Sequence, residues 1–355
     1  MNSPIIIGAG IAGLSAANNF IDHGIKPIVI EADIIGRDKV CGEFFSPESL
    51  FFLDKWEIPF IRIKKGNFIA KNYIYSFNFP NAAGSISRSQ CELLLAKRIV
   101  NNNGLLYTNT SVTEIINAKN KNENHIIKLS NGQTLETNNL VIATGKIFNN
   151  KLNEPKYVGI KAHFKNFNIP NELFMYMISG AYLGISYVDN STINLCCLAK
   201  KQLVDNFKTL SDFMQFFFNF YPDLNKKFNN SICLFNDWLT AYVFDFGIKK
   251  IKNWPNCFFI GDAAALIYPA SGNGLAMGLT SGIMASEYII SNSKKNFKKN
   301  WRKRYSKRIF YAKILHNVFM NPKISNIGFR LANLYPKMSK VFFKLTREKL
   351  ISSKR

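Results

Sequence analysis

Residues 4–33 read PIIIGAGIAGLSAANNFIDHGIKPIVIEAD, and this stretch decides the fold. A short apolar strand runs into glycines at 8, 10 and 13, an alanine-rich helix follows, Gly24 breaks it, and a second apolar strand ends on Glu31. Each glycine has a separate physical task in a strand–turn–helix that receives a diphosphate. Gly8 permits the tight turn, Gly10 lets the backbone approach the phosphates, and Gly13 allows the helix to pack closely on the strand. The helix N-terminus then faces the phosphate charge. Glu31 stands 18 residues after Gly13, where a carboxylate accepts hydrogen bonds from an adenosine ribose. The expectation is a Rossmann-type dinucleotide-binding unit in an α/β chain.

That unit alone does not separate NAD from FAD. A second stretch does, far downstream: FFIGDAAALIYPASGNGLAMGL at 258–279. CFFIGDA reads as a buried strand that delivers Asp262 at its carboxyl end, where its carboxylate can bind ribityl hydroxyls. Pro269 redirects the chain, and Gly272, Asn273 and Gly274 open a helix whose N–H groups can face the N1 and O2 edge of a flavin. Reduced flavin is negative there, so the helix dipole favours it. A nicotinamide dinucleotide leaves these residues without a task, and FAD is the expected cofactor.

Three motifs together, GAGIAG with Glu31, LVIATGK at 140–146 and GDAAALIYPASGNG at 261–274, resemble the FAD-dependent oxidoreductases of the geranylgeranyl-reductase and aromatic-hydroxylase superfamily. KVCGEFFSPESL at 39–50 is similar to the reductase branch, and the basic carboxyl-terminal helices are similar to a CbrA-like bacterial branch. The resemblance implies a GR2-like FAD-binding domain built from 1–65, 85–150 and 251–290. It implies an interleaved substrate domain on a largely antiparallel sheet from 66–84 and 151–250, and a helical tail over 291–355. It also implies an FAD contact for Arg88, at a helix start, and a place near the flavin for Cys41, the low-ranked candidate for a catalytic side chain. A surface salt bridge for Arg88 and a small buried filler for Cys41 are the bland alternatives.

The implied activity is hydride transfer to a carbon–carbon double bond of an apolar, isoprenoid-like or polyketide-like substrate, with NAD(P)H or another reductant as electron donor. Two other readings stay open: hydroxylation through oxygen bound to reduced flavin, and a prenyl-lipid carrier on the same fold that uses no flavin. The chain departs from both enzyme branches. Ala143-Thr144-Gly145 stands where hydroxylases carry Asp-Gly, and SGAYLGISYV at 179–188 lacks the Trp and Pro of archaeal prenyl reductases. Trp56-Glu57-Ile58-Pro59 matches half of a flavin-halogenase signature at the wrong position, so halogenation is discounted.

The remaining sequence bounds these expectations. At 355 residues and 47% hydrophobic, the chain can bury a large core. Six cysteines without zinc-type spacing read as reduced thiols, and no metal cluster or nucleophile–base constellation is expected. YLGISYVDNSTINLCCLA reads as a hairpin turning at Asp189-Asn190, and Phe213, Phe216, Phe217 and Phe220 read as one helical face packed in a core. His163 reads as a satisfied strand histidine.

The net charge of +23 is concentrated in the tail, where residues 291–355 hold 19 Lys and Arg against one acid, Glu348. Phe297, Trp301, Tyr305 and Ile309 recur every fourth residue among these cations. Ile324, Ile327, Leu331 and Leu334 repeat the stripe after Pro322, and Met338, Val341, Phe342 and Leu345 repeat it after Pro336. Short amphipathic helices of this kind suit the surface of an anionic membrane; packing against the chain's own core is the competing expectation. Nucleic acid is not an expected partner, because no binding module accompanies the charge. With no strong apolar span and no secretion signal read, the expected place is the cytoplasm, peripheral to the inner face of the membrane.

Overall fold

The computed structural model describes residues 3–71, 73–145, 154–251, 253–293, 296–335 and 345–347. Apolar triplets build its first sheet. β1 (Ile5–Ile7) leads through α1 (Ile11–Asp22) to β2 (Ile28–Ile30). Then come β3 (Phe44–Phe45), α2 (Pro47–Lys55), the long hairpin β4 (Ile61–Ala70) and β5 (Tyr73–Ser85), α3 (Arg88–Asn101) and β6 (Leu105–Tyr107). A small antiparallel sheet, β7 (Val112–Ile116), β8 (His125–Leu129) and β9 (Thr134–Thr137), precedes β10 (Leu140–Ile142).

The next stretch holds β11 (Tyr157–Lys165), β12 (Leu173–Ile178), β13 (Ala181–Tyr187) and β14 (Ile193–Lys200). Three helices follow, α4 (Lys201–Val204), α5 (Leu210–Asn219) and α6 (Pro222–Asn229), then strands β15 (Ile232–Cys233), β16 (Leu239–Val243), β17 (Gly247–Ile248), β18 (Cys257–Phe259) and β19 (Ala265–Leu266). The described chain closes on α7 (Gly274–Ile290), α8 (Phe297–Phe319) and α9 (Pro322–Leu334).

The first sheet is parallel, in the order β18-β10-β1-β2-β6. Its central strands, β10, β1 and β2, are uninterrupted Ile, Leu and Val, and they lie in the main core with residues of α1 and α7. Small residues let α1 and α7 lie in near contact. A Cβ on Gly282 would meet Ser15 Oγ at 2.2 Å and Ala12 O at 2.3 Å, and Ser15 Oγ donates to Leu279 O at 3.0 Å; a Cβ on Gly13 would meet Gly8 O at 1.9 Å, so that glycine sets α1 against the turn after β1. The nine-stranded second sheet runs β15-β11-β14-β13-β12-β4-β5-β3, with β16 also on β11; all its pairings are antiparallel except that of β12 with β4. β4 spans position 65, and its register against β5 shifts between Ile63 and Lys65.

The hairpin β13–β14 turns where expected, with Asp189 Oδ1 accepting from the backbone N–H of Ser191 and Thr192. The phenylalanine face of α5 differs from the expectation. Phe213, Met214, Phe217 and Phe218 are buried in the core beneath the second sheet, whereas Phe216 and Phe220 are 41% and 46% exposed. The helix is simply rotated toward the stripe with four contiguous buried contacts.

The tail divides. On α8, Phe297, Trp301, Tyr305 and Ile309 pack into the core of the first sheet, and the Tyr305 hydroxyl lies 2.9 Å from Thr280 Oγ1 on α7. That stripe therefore has an internal partner, contrary to the expectation of a membrane face there. On α9, Phe329 turns inward while Ile324, Ile327, Leu331 and Leu334 face out. The third stripe falls mostly outside the described residues.

Candidate functional site

A cavity of about 510 Å³ runs between the two sheets. At one end lie the glycine turn after β1 and the first turn of α1. Gly8 has φ +104°, and a Cβ there would meet Ala143 O at 2.5 Å. Gly10 has room: the nearest atom to a Cβ would be Nη2 of Arg88 at 3.4 Å. No side chain caps α1, so its first N–H groups are left for another partner, and Gly10, Ile11 and Ala12 line the cavity. Glu31, at the end of β2, accepts the backbone N–H of Ala9 at 2.6 Å and of Asp33 at 3.2 Å, which seats its carboxylate beside the turn.

Arg88 and Asp262 line the same end. The guanidinium of Arg88 donates Nε to Glu92 Oε1 at 2.8 Å, and Glu92, fully buried, also takes Lys39 at 2.8 Å. Burial weakens the Arg88 charge, but the Glu92 carboxylate outweighs it and the group stays a firm cation. The two expectations for Arg88, cofactor contact and salt bridge, are thus compatible: Nε serves the bridge while Nη2 lies over Gly10. Asp262 follows β18 in a single 3-10 turn whose Gly261 has φ +54°.

Gly272 has φ +62° and a Cβ there would come 2.9 Å from the Phe44 ring, so only glycine fits. α7 is also without a side-chain cap, and Gly274 and Leu275 at its start line the cavity. Asn273 itself is buried with its side chain committed: its Nδ2 donates to Thr346 O, and Arg347 Nη1 donates to its Oδ1. Only the backbone of this loop is left to face a ligand. Beyond Gly272 the wall becomes aromatic. Alternation along β5 turns Tyr75, Phe77 and Phe79 inward, and rings follow from Phe44 to Phe79 at 5.7 Å, Phe77 at 5.1 Å, Phe68 at 4.7 Å and Phe329 at 5.6 Å.

Cys41 lines the cavity between the two ends. Burial raises its thiol above the ordinary value, more than the Arg88 charge lowers it, so it is held as S–H. Behind its loop sits a cluster that sequence reading missed. Glu43, fully buried at φ +53°, accepts from the Arg88 backbone N–H at 2.7 Å, from Lys161 Nζ at 2.7 Å and, through its other oxygen, pairs with His163 Nε2 at 2.7 Å.

Burial pushes the Glu43 carboxyl up, but the His163 hydrogen bond and the Lys161 charge prevail and hold it below the usual carboxylate range. Burial likewise works against the Lys161 ammonium, and the Glu43 charge overrides it. Asp38 completes the group, 3.3 Å from Lys161. Asp38, Glu43 and His163 have metal-ligand spacing, yet the lysine ammonium stands where a cation would sit. The left-handed backbone at Glu43 persists because these bonds over-determine it, and they clamp the Cys41–Gly42 loop to the cavity wall. His163 is a satisfied strand histidine, as expected. Trp56 is a core residue whose Nε1 donates to Asp22 at 2.9 Å, away from the cavity.

Two N-terminal helix turns, a guanidinium and an acceptor carboxylate at one end suit a diphosphate cofactor with a sugar-like chain, so the residues present fit FAD. The model of the family described as pyridine nucleotide-disulphide oxidoreductase matches residues 3–168. No curated protein matches the sequence. Among solved structures, a flavoprotein/dehydrogenase from Cytophaga hutchinsonii is 18% identical over 96% of this chain and 95% of that one, with a TM-score of 0.77. The flavin-dependent brominase Bmp2 is 18% identical over 97% and 92%, at 0.81. A geranylgeranyl bacteriochlorophyll reductase-like protein from Thermoplasma acidophilum is 18% identical over 97% and 98%, at 0.71. At these identities the likeness is one of fold, that of a Rossmann-type flavoprotein with an interleaved second sheet.

Proposed function

We propose that this chain, whose residues 3–168 match the family model described as pyridine nucleotide-disulphide oxidoreductase, is an FAD-dependent enzyme that reduces a carbon–carbon double bond in an apolar, isoprenoid-like substrate. The observation that carries this reading is the single cavity whose polar end, at Gly10, Arg88 and Asp262, opens onto a wall of rings from Phe44 to Phe329. FAD, reduced by a nicotinamide nucleotide or another donor, supplies the hydride when bound.

The chain's residues do the rest. The N–H groups opening α1 and the Arg88 guanidinium hold the diphosphate, and Asp262 accepts from hydroxyls. The backbone N–H groups at the start of α7 favour negative charge on the bound ring system. Aromatic side chains exclude water and orient the substrate by its apolar body. Cys41, held protonated, gives its S–H proton to the second alkene carbon and is reprotonated from solvent.

The first test is the cofactor itself. Purified protein should carry FAD, and Asp262→Ala should weaken retention by about 1.5–3 kcal/mol, roughly ten- to a hundredfold. Colourless protein that takes up no FAD sinks the proposal and leaves lipid carriage on this fold. The second test uses reduced protein without oxygen: an isoprenoid alkene should reoxidise it, and Cys41→Ala should slow that step by about a hundredfold with the flavin spectrum retained. Reoxidation by oxygen alone, with a hydroxylated product, points to the monooxygenase reading instead.

A further inference from the structure

α9 is apolar on both sides. Its inner side sets Phe329 against Phe68, at 5.6 Å, and Tyr75, at 5.8 Å, and with Ala332 it walls the cavity. Its outer side sets Ile324, Ile327, Leu331 and Leu334 at helical spacing, exposed by 49%, 62%, 42% and 72%. Such a stripe with no protein partner among the described residues asks for a cover.

Charge identifies it. α8 and α9 together carry ten Lys and Arg and no Asp or Glu. Lys323 and Arg330 are exposed beside the stripe of α9, and on α8 the exposed positions Lys303, Lys307, Phe310 and Ile314 recur at helical spacing, mixing cations with apolar side chains. A second copy of this chain would bring the same uncompensated charge to a symmetric contact, which disfavours self-association. Nucleic acid would leave four large aliphatic side chains facing phosphate and water. An anionic bilayer satisfies both halves, since lipid chains take the aliphatic stripe and headgroups take the cations. Thirteen residues are too short to span, and no described helix is long and apolar enough to cross a membrane.

We propose that α9 is a membrane-docking helix which lies in the interface of an anionic bilayer with Ile324, Ile327, Leu331 and Leu334 inserted, while Phe329 and Ala332 on its other side face the cavity. The cavity is thereby parted from the bilayer by one helix. Entry of an apolar substrate beside α9 rests on the function proposed above; the docking does not.

The test is sedimentation of the full FAD-loaded chain with phosphatidylglycerol vesicles and with phosphatidylcholine vesicles, flavin content being read by absorbance in the same samples. The wild type should partition at least tenfold better to phosphatidylglycerol. Ile327→Asp with Leu331→Asp should lose at least tenfold while keeping the unfolding midpoint, and Lys303→Glu with Lys307→Glu should lose the preference for anionic lipid. Binding should fall in about 0.5 M salt, where exposed charges are screened. Equal partitioning of wild type and the aspartate variant, or no binding to either vesicle, overturns the proposal. So does a lipid-free wild-type dimer that the aspartate variant abolishes, which would make this face a protein interface. Protein that pellets with lipid yet holds no FAD would sink the enzymatic reading and leave the docking intact.

Discussion

α8 and α9 are consecutive, basic, free of acids and each striped with apolar residues at helical spacing, yet the fold uses them in opposite ways. The stripe of α8 is covered by α7 and the first sheet, and even Arg308 on that side is buried near Glu48 at 3.7 Å. Burial lowers the Arg308 guanidinium to about 10, against the pull of Glu48. The stripe of α9 faces outward, and the helix is held to the body by Phe329 and its ring neighbours. Periodicity thus reports that a helix has an apolar side; it does not report what covers that side.

The largest expected effect breaks the contrast outright. Trp301→Ala on α8 should cost about 3–5 kcal/mol of stability, whereas Leu331→Ser on α9 should change it by no more than about 0.5 kcal/mol, both read from urea unfolding. Similar losses from the two variants would mean that α9 is buried against something in this chain.

A pH dependence sharpens it. His316, on the inner side of α8 and 1% exposed, is lowered to about 4 by burial, with the Lys200 charge adding to the effect. The unfolded imidazole takes its proton near 6.5, the folded one only near 4. Between those values the unfolded state binds more protons, so stability should fall as pH drops from about 6.5 toward 4, by about 2–3 kcal/mol from this group. His316→Asn should flatten the curve in that window. An unchanged curve would place His316 in water.

The smallest effect tests α9 alone. Asn321 caps it, Oδ1 accepting from Lys323 N at 3.2 Å and Ile324 N at 3.4 Å. Asn321→Ala should cost about 1 kcal/mol, seen as faster amide exchange within α9 and not within α8. Faster exchange in both helices would show that they open as one unit.

The candidate site divides along a similar line. Gly8, Gly10, Gly13, Glu31, Asp262 and Gly272 were legible because each answers a local steric or hydrogen-bonding demand: a positive φ, a helix packed on a strand, a carboxylate at a strand end. Asn273 was legible as a loop residue, but the commitment of its side chain to Thr346 and Arg347 was not. Glu43 and Lys161 carried no local signal, and His163 was legible as a satisfied strand histidine but not as the partner of Glu43. The pairs are 118 and 120 residues apart, and alternation along β11 merely turns positions 161 and 163 to one side.

Short-range sterics act within a turn or a strand, so the order of residues suffices to specify a glycine-rich phosphate turn, a short apolar strand and an apolar helical stripe. Burial is a property of pairs of surfaces. Which stripe met α7, which was left facing out, and which carboxylate found the buried ammonium became definite only once the two sheets had closed around the cavity, because desolvation and ion pairing depend on neighbours that the chain brings together from far apart.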